Sequence, residues 1–283
     1  MASRSVLISG ASTGIGRASA IRLANAGWRV FAGVRKPEDG EAVRAESPER
    51  ISPVILDVTD ATTIEAAALT IREAVGDGGL HGLVNNAGVT FQGPLEFLPV
   101  DDLRRQLDVN VVGQIAVTQA VMPELRAATG RIVNMGSVGG RVAHPFLGPY
   151  NASKFAIEAL TDSLRKELRD WGIHVIVVEP GSMATEIWDK GDRGAEELLE
   201  KIGDRGRELY GEKLEKLREF AVKTGERGGS PDKVAKVVER ALTAARPRTR
   251  YLVGPDAKAQ VVLDTVLPDR AFDAVEAKLL ERG

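Results

Sequence analysis

Residues 5–16 read SVLISGASTGIG, a short apolar run that passes directly into a glycine-rich turn. Gly10, Gly14 and Gly16 follow the spacing G-x3-G-x-G, and residues with helical periodicity come next. In a strand–turn–helix unit, absent side chains let the backbone approach a pyrophosphate, and the helix N-terminus supplies amide donors and partial positive charge. A plain structural turn is the alternative. The stretch favours a dinucleotide-binding α/β fold whose cofactor contacts would be Gly10, Ser12, Thr13, Gly14, Ile15 and Gly16.

Short apolar runs and longer helical patterns alternate along the rest of the chain. The runs are rich in Val, Ile and Leu, which is typical of strands covered on both faces of a parallel sheet. They span 5–9, 28–34, 51–58, 80–86, 130–136, 172–180 and 249–254, and helical spacing occupies 14–27, 60–76, 99–128 and 150–171. Strand–helix alternation implies right-handed crossovers. We predict a single-domain, Rossmann-type doubly wound parallel sheet of about seven strands with helices on both faces.

The composition excludes several classes of protein. The 283 residues carry a net charge of −2, which gives no field that would steer the chain toward nucleic acid or an anionic membrane. No cysteine is present, so a disulfide framework and a thiolate zinc site are excluded. His81, His144 and His174 lack metal-ligand spacing, and we predict no metal site. Because neither a signal-peptide core nor an apolar stretch of about 18 residues occurs, we expect a cytoplasmic protein.

We predict one domain over 1–283, with its core at 3–188 and 230–254. Residues 189–229 are dense in alternating charge and predict one or two exposed helices between the sixth and seventh strands. Because this insertion leaves the sheet at a strand's carboxyl end, it is also placed to serve as a substrate lid. The residues that would then face inward are Leu198, Leu199, Ile202, Tyr210, Leu214 and Leu217. For the C-terminal extension, 255–283, packing on the sheet is the first expectation, with a pocket wall or a subunit contact as alternatives.

The end of the second predicted strand bears on cofactor choice. In dinucleotide-binding folds an acidic residue here hydrogen-bonds the ribose 2′-hydroxyl, whereas an arginine accommodates a 2′-phosphate. Val34 occupies the acidic place and Arg35 follows, with Lys36 next. The sequence therefore favours NADP(H), with NAD(H) possible, although Arg35 as an ordinary exposed strand-end charge is the alternative.

Further motifs occur in a fixed order after the glycine turn. They are NNAG at 85–88, Asn110 in LDVNVVG, Ser137 in NMGSVGG, YNASK at 150–154 and a PGxxxT element at 180–185. With these motifs the chain resembles the short-chain dehydrogenase/reductase family, over roughly 3–185 by motif and to about 254 by strand order. The stretches VFAGVRKPEDG and YNASKFAIEALTDSLRKEL resemble the branch of the family that includes steroid- and retinol-type dehydrogenases.

The resemblance implies a set of site residues. The catalytic tetrad would be Asn110, Ser137, Tyr150 and Lys154, of which Tyr150 and Lys154 would also contact the cofactor. Asp57 and Val58 would meet the adenine ring, and Asn86, Ala87 and Gly88 would run beside the adenosine ribose. Pro180, Gly181, Met183 and Thr185 would hold the nicotinamide carboxamide and its neighbours. Asn110 would distort its helix and hold a water that relays protons from Lys154; the alternative is an ordinary polar helix residue.

The chemistry of YNASK follows from its spacing. Tyr150 and Lys154 lie at i and i+4, and therefore on one helix face. The ammonium, together with an oxidised nicotinamide, favours the phenolate, so we expect the pKa of Tyr150 to fall toward the working pH. Tyr150 could then protonate a ketone oxygen or deprotonate an alcohol, and the hydroxyl of Ser137 could hydrogen-bond the developing oxyanion.

We therefore expect an NAD(P)(H)-dependent oxidoreductase that interconverts a secondary alcohol and a ketone. The substrate should be a fairly apolar small molecule, steroid- or retinoid-like by resemblance, because the predicted pocket residues are Val89, Phe91, Val138, Val142, Phe146, Leu147, Ile187 and Trp188. His144 could touch substrate or face solvent. The alternative is a non-catalytic dinucleotide-binding sensor or scaffold, and a sugar-nucleotide epimerase ranks lower because its glycine spacing differs. The apolar helices at 99–128 and 150–171 predict a homodimer or homotetramer.

Overall fold

The computed structural model describes residues 4–183 and 202–282. Seven strands form one fully parallel sheet in the order β3-β2-β1-β4-β5-β6-β7, which confirms the predicted fold and strand number. The strands are β1 (Ser5–Ser9), β2 (Arg29–Val34), β3 (Ile51–Ile55), β4 (Gly82–Asn85), β5 (Arg131–Met135), β6 (His174–Pro180) and β7 (Arg250–Val253). The order reverses between β1 and β4. In open parallel sheets such a reversal opens a crevice at the carboxyl ends of the strands, where ligands bind.

Eleven helices of seven or more residues lie in the described part of the chain. They are α1 (Gly14–Asn25), α2 (Pro37–Arg44), α3 (Ala61–Val75), α4 (Val100–Leu107), α5 (Gly113–Ala120), α6 (Met122–Ala128), α7 (Gly148–Glu167), α8 (Gly203–Arg227), α9 (Pro231–Thr243), α10 (Pro255–Val266) and α11 (Asp269–Arg282). Two of them begin at good caps. The Asp60 carboxylate accepts the Thr62 N–H at the start of α3, and the Ser230 hydroxyl accepts the Asp232 N–H at the start of α9.

The hydrophobic core lies in two layers, one on each face of the sheet. On one face Leu23 of α1 and Val238 of α9 are fully buried against alternate residues of β1 and β2. On the other face Ile71 of α3, Val117 of α5 and Leu125 of α6 pack against the intervening residues. Each such side chain contributes roughly 1.5–3 kcal/mol by leaving water. Coverage on both faces explains why the strands read as continuous apolar runs.

The stretch 99–128, which was predicted to be helical throughout, instead forms several shorter helices. After α4 the chain forms a π-helical turn, Asp108–Val112, before α5 begins. A second interruption falls at Val121, and Pro123 occupies the first turn of α6, where its missing N–H costs no helical hydrogen bond. The π turn places Asn110 on the inner side, fully buried. Helix α7, by contrast, runs unbroken for 20 residues and carries Tyr150 and Lys154.

The charged insertion and the C-terminal extension are both helical. The described part of the insertion contains one long helix, α8. The extension folds into α10 and α11, and α11 contacts α8. Of the lid residues predicted to face inward, Leu198 and Leu199 lie outside the described residues, as does the side chain of Leu217. No helix in the described ranges has the length and apolar character needed to cross a membrane.

Candidate active site

A single cavity of about 1000 Å³ runs along the carboxyl ends of the strands. Its nucleotide half begins at the glycine turn, where Gly10, Ser12, Thr13, Gly14 and Ile15 line the wall. Thr13 caps α1 but its side chain makes no capping hydrogen bond, and no acidic residue lies in the first turn. The N-terminal amides and the positive end of the α1 dipole are therefore available to an anion. This end of the cavity fits a pyrophosphate.

Two of the turn glycines meet a steric requirement. Gly10 has φ +65°, and Gly14 has φ +53°, a region that residues with a Cβ adopt rarely. A Cβ on Gly16 would lie 2.1 Å from the carbonyl oxygen of Gly10. Gly16 does not line the cavity. It lies behind the turn, where it permits close packing of α1 on β1. The cofactor contact predicted for Gly16 stays a prediction.

The adenine end of the cavity carries opposite charges. Arg35, Asp57 and Val58 line it, as predicted, and Arg105 of α4 lines it too. Burial acts to raise the pKa of the Asp57 carboxyl, but hydrogen bonds from Thr59 and the charges of Arg35 and Arg105 lower it overall. Arg35 is exposed and faces the cavity, so its guanidinium is accessible to a phosphate. Sequence reasoning missed Arg105, because only the tertiary fold brings α4 opposite the end of β2.

The strands β4 and β6 supply the middle of the cavity. Asn86, Ala87 and Gly88 line it after β4, and the side-chain amide of Asn86 donates to the carbonyl oxygens of Ser9 and Gly10 at 3.1 and 3.0 Å. That amide ties the end of β4 to the glycine turn. Pro180, Gly181 and Met183 line the cavity after β6, whereas Thr185 lies outside the described residues.

Asn110 holds the loop after β4 through its whole side-chain amide. Its Oδ1 accepts the N–H of Val89 at 2.8 Å, and its Nδ2 donates to the Val89 carbonyl at 3.0 Å. The same Nδ2 lies 3.1 Å from the Ser153 hydroxyl on α7. The helix distortion that the resemblance implied is present as the π turn. These bonds join three segments that line the site.

Ser137 and Tyr150 lie together at the centre of the cavity wall. Ser137 follows β5, and its hydroxyl accepts the Gly139 N–H at 3.1 Å, which fixes the short turn Val138–Gly140. Burial raises the pKa of the Tyr150 phenol, and the side-chain hydrogen bond with Ser137 counteracts this shift only in part. The direction is opposite to the one expected from the sequence.

The neighbouring Lys154 does not reverse this direction. Its ammonium donates to the Met135 carbonyl at 2.7 Å and lies 5.6 Å from the centre of the Tyr150 ring. Burial lowers the pKa of Lys154 to about 8, while the charge of Glu158 raises it. The expectation for Tyr150 combined this cation with an oxidised nicotinamide. The ammonium without that second charge does not offset the burial of the phenol.

The substrate half of the cavity is mainly apolar. Val89, Phe91, Val138 and Leu147 line it as predicted. Val142 and Phe146 do not line the cavity. Val142 is buried in the protein, and the ring of Phe146 forms a T-shaped contact with the ring of Tyr210 in α8. Ile187 and Trp188 lie outside the described residues. Ile202 is buried and Tyr210 contacts Phe97 as well, but neither of these insertion residues lines the cavity.

The C-terminal extension forms the remaining wall, which was one of the alternatives predicted for it, and α10 also contacts β7 of the sheet. Its contribution comes from both helices and consists of Gln260, Leu263, Phe272, Val275 and Glu276. Glu276 meets His144 across the cavity rim, with 2.7 Å between Oε1 and Nδ1. Asn151, beside Tyr150, donates to the His144 carbonyl at 2.9 Å and thereby fixes this loop to α7. Apolar spacing in the tail was visible in the sequence, but nothing there indicated which surface it covers.

Within the described ranges, the His, Cys, Asp and Glu side chains form no group of three or more that could hold a metal ion.

Comparisons with known proteins agree with this arrangement. A family model described as short chain dehydrogenase matches residues 4–195. The chain is 34% identical to an NADPH-dependent 3-dehydrocapnine reductase of Ornithobacterium rhinotracheale over 285 residues, covering 99% of this chain and 98% of the relative. It is 39% identical to retinol dehydrogenase 16 of Homo sapiens over 277 residues, covering 95% and 86%.

Solved structures match over nearly the whole chain. A short chain dehydrogenase from Burkholderia cenocepacia in complex with NADP superposes with a TM-score of 0.74 at 25% identity, covering 98% of both chains. A short chain dehydrogenase/reductase from Burkholderia phymatum in complex with NAD gives 0.75 at 27% identity, covering 92% of both. By sequence, fold and site together, the chain belongs to the short-chain dehydrogenase/reductase family of nicotinamide-dependent oxidoreductases.

Proposed function

We propose that the protein interconverts a secondary alcohol and a ketone on a fairly apolar substrate, with NADP(H) as its preferred cofactor. One observation carries the proposal. Tyr150 lies beside Ser137, and Lys154 is one helical turn away. The other half of the same cavity begins at the glycine turn before α1. No other part of the described chain combines an acid–base group with such a turn.

The nucleotide half supplies the cofactor's binding groups. The α1 amides and the hydroxyls of Ser12 and Thr13 would hold the pyrophosphate, and Asp57 would face the adenine end. Gly181 and Met183 would face the nicotinamide end. When bound, the nicotinamide supplies the hydride to a ketone or accepts it from an alcohol.

The residues of this chain handle the proton. The Ser137 hydroxyl would hydrogen-bond the substrate oxygen and stabilise negative charge as it develops there. Tyr150 would give its phenolic proton to that oxygen in reduction and remove the proton in oxidation. Lys154 would then stabilise the phenolate that reduction leaves behind. Asn110 would hold Val89 and Ser153 in register around these groups through the bonds described above.

The preference for NADP(H) rests on the charges at the adenine end. Arg35 and Arg105 both face the cavity beside Asp57, and a 2′-phosphate placed there would gain charge-assisted hydrogen bonds. The NADPH-dependent relative supports this choice, while the two solved structures hold NADP and NAD respectively. A clear NAD(H) preference of the purified protein would contradict it.

The substrate is inferred from the opposite wall. Val89, Phe91, Leu147, Leu263 and Phe272 give it an apolar surface, which favours a lipophilic carbonyl compound such as a steroid or retinoid. The retinol dehydrogenase among the relatives supports this class. His144 and Glu276 offer one polar contact at the rim. Residues 189–229 would add a lid above this half.

Assembly into a homodimer or homotetramer is part of the proposal. Phe155 of α7 and Val112 of the π turn are apolar and expose 44% and 59% of their surfaces. Pairing of α4, α5 and α7 with a second copy would bury them. Sedimentation at low concentration would detect it, and a monomer at every concentration would contradict it.

A non-catalytic dinucleotide-binding sensor is the second candidate, favoured by the raised pKa of Tyr150. Absorbance of the reduced nicotinamide, followed with a panel of apolar ketones and alcohols, separates the two. Turnover of any member of the panel supports the enzyme. Tight cofactor binding without turnover, over the whole panel and in both directions, supports the sensor.

A further inference from the structure

Two buried glutamates lie directly behind the proposed catalytic lysine. Glu158 follows Lys154 by one turn of α7, and Glu179 lies near the end of β6. Glu158 is 8% exposed and Glu179 has no exposed surface. Oε1 of Glu158 and Oε2 of Glu179 have no hydrogen-bond partner among the described residues. Carboxylates buried in this way are costly to ionise, so their position calls for a physical reason.

The charged groups around this pair come from three parts of the chain. Arg250 of β7 places its Nε 3.0 Å from Glu158 Oε2 and 4.0 Å from Glu179 Oε1. Arg141, which follows the Ser137 turn, reaches Glu179 Oε1 at 3.4 Å. Asp162, one turn beyond Glu158 on α7, binds the same Arg250 at 2.8 Å. The guanidinium groups thus meet one oxygen of each buried glutamate, and the two carboxyl groups are close enough to interact with each other, which acts to raise the pKa of Glu158.

The unpartnered oxygen of Glu158 faces the peptide that binds the lysine. Lys154 donates to the carbonyl oxygen of Met135 at 2.7 Å. A Cβ built on the next residue, Gly136, would lie 3.1 Å from Glu158 Oε1. The Lys154 ammonium therefore contacts Met135, and the Glu158 carboxylate oxygen lies near Gly136, the next residue. A negative charge one helical turn from a buried lysine favours its protonated form.

We propose that Glu158 is a positioning residue for the reaction, whose carboxylate holds Lys154 in the ammonium form beside Tyr150. Glu179 and Arg250 set how fully that carboxylate is charged. Burial and the neighbouring charge of Glu179 raise the pKa of Glu158 to about 7, and the Glu158 charge in turn raises that of Lys154. The site would thus couple a carboxylate that ionises near neutral pH to the lysine that serves the tyrosine. The catalytic part of this inference rests on the proposed function, whereas the titration of Lys154 does not.

The direct test is a ¹³C NMR titration of the lysine side chains, which needs no turnover. Lys154, assigned by its loss in Lys154→Arg, should titrate near pH 8, well below exposed lysines. In Glu158→Gln its midpoint should fall by about half a pH unit or more, because a neighbouring negative charge is removed. Asp162→Asn is the matched control: it removes a carboxylate from the same helix and the same Arg250, but not the one facing Lys154. Its Lys154 midpoint should stay unchanged.

Two further readouts complete the test. In the wild type, the Lys154 signal should show a second, smaller step near pH 7 as Glu158 ionises, which does not depend on the folding of Glu158→Gln. With turnover, the alkaline limb of the pH profile of kcat/KM should move to lower pH in Glu158→Gln and not in Asp162→Asn. Equal Lys154 midpoints in both variants, or a single-step wild-type titration, would overturn the proposal. A coupled lysine in a protein without turnover would contradict the proposed function only.

Discussion

The two halves of the cavity are built from different parts of the chain. The nucleotide half consists largely of backbone and small residues at the ends of β1, β4 and β6, close together in a compact sheet. The substrate half consists of side chains on loops and on the C-terminal helices, and one of its contacts joins His144 to Glu276 across 132 positions of sequence. The first half depends on backbone geometry and the second on side-chain identity, so substitutions should affect them differently.

Apart from removal of the Tyr150 hydroxyl, the largest effect is expected at Ser137, on the boundary between the halves. Ser137→Ala should lower kcat about 10²–10³-fold, because it removes a hydroxyl donor to the developing oxyanion. Cofactor affinity, measured by quenching of the protein's fluorescence, should change little. Ser137→Thr, which keeps the hydroxyl and the acceptor for the Gly139 N–H, is the control and should retain most activity. Equal losses in both variants would assign the effect to the turn rather than to the hydroxyl.

A change confined to the nucleotide half should alter cofactor choice alone. Arg35→Ser should weaken NADP(H) binding about 10–100-fold, the cost of losing charge-assisted hydrogen bonds to a phosphate. Binding of NAD(H) should stay the same or improve, and substrate KM should not move. Isothermal titration with both cofactors measures this. Matching losses for NADP(H) and NAD(H) would show that Arg35 does not read the 2′-phosphate.

A change confined to the substrate half should alter substrate choice alone. Glu276→Leu removes the only carboxylate that the C-terminal helices contribute to the described cavity wall. We expect kcat/KM for ketones that also carry a hydroxyl group to fall about tenfold relative to wholly apolar ketones. This is the effect of losing one hydrogen bond to a charged group. Glu276→Gln should show a smaller change. A uniform loss over both kinds of ketone would point to a displaced helix instead.

The smallest effect concerns stability and comes from the glutamates behind the boundary. The folded protein binds a proton at Glu158 up to about pH 7, whereas the unfolded chain releases it near pH 4.5. Between these values the folded state holds more protons, so the free energy of unfolding falls as pH rises, by on the order of 1–2 kcal/mol. Denaturant unfolding from pH 5 to 7.5 would measure it. Glu158→Gln should flatten the difference, and an unchanged slope would contradict the assignment.

The sequence predicted most of the nucleotide half, for a physical reason. Gly10 and Gly14 signal a turn, and Val6 and Ile8 belong to a run that only a sheet buried on both faces would bury. The turn requires a backbone conformation that favours glycine, and the strand requires apolar residues that leave water. Both requirements are visible in a short stretch of residues. The seven strands followed from the same periodicity, although most are shorter than the predicted runs, by three residues at the end of β3.

The features that sequence reasoning missed are tertiary. Arg105 and Glu276 reach the cavity only because α4 and α11 fold over it. The π turn at Asn110 depends on its bonds to Val89, which helical spacing does not encode. The direction of the Tyr150 pKa shift depends on burial of the phenol, which its hydrogen bond with Ser137 offsets only in part, and that burial is a property of the folded chain.

The central claim is that Tyr150 moves the substrate proton with Lys154 at its side. The most direct test is Tyr150→Phe, which removes only the phenolic oxygen, assayed by absorbance of the reduced nicotinamide with the best ketone of the panel. We predict a loss of about 10²–10⁴-fold in kcat, the usual worth of a positioned acid, with cofactor affinity within about twofold of wild type. Turnover by Tyr150→Phe close to that of the wild type would contradict the account.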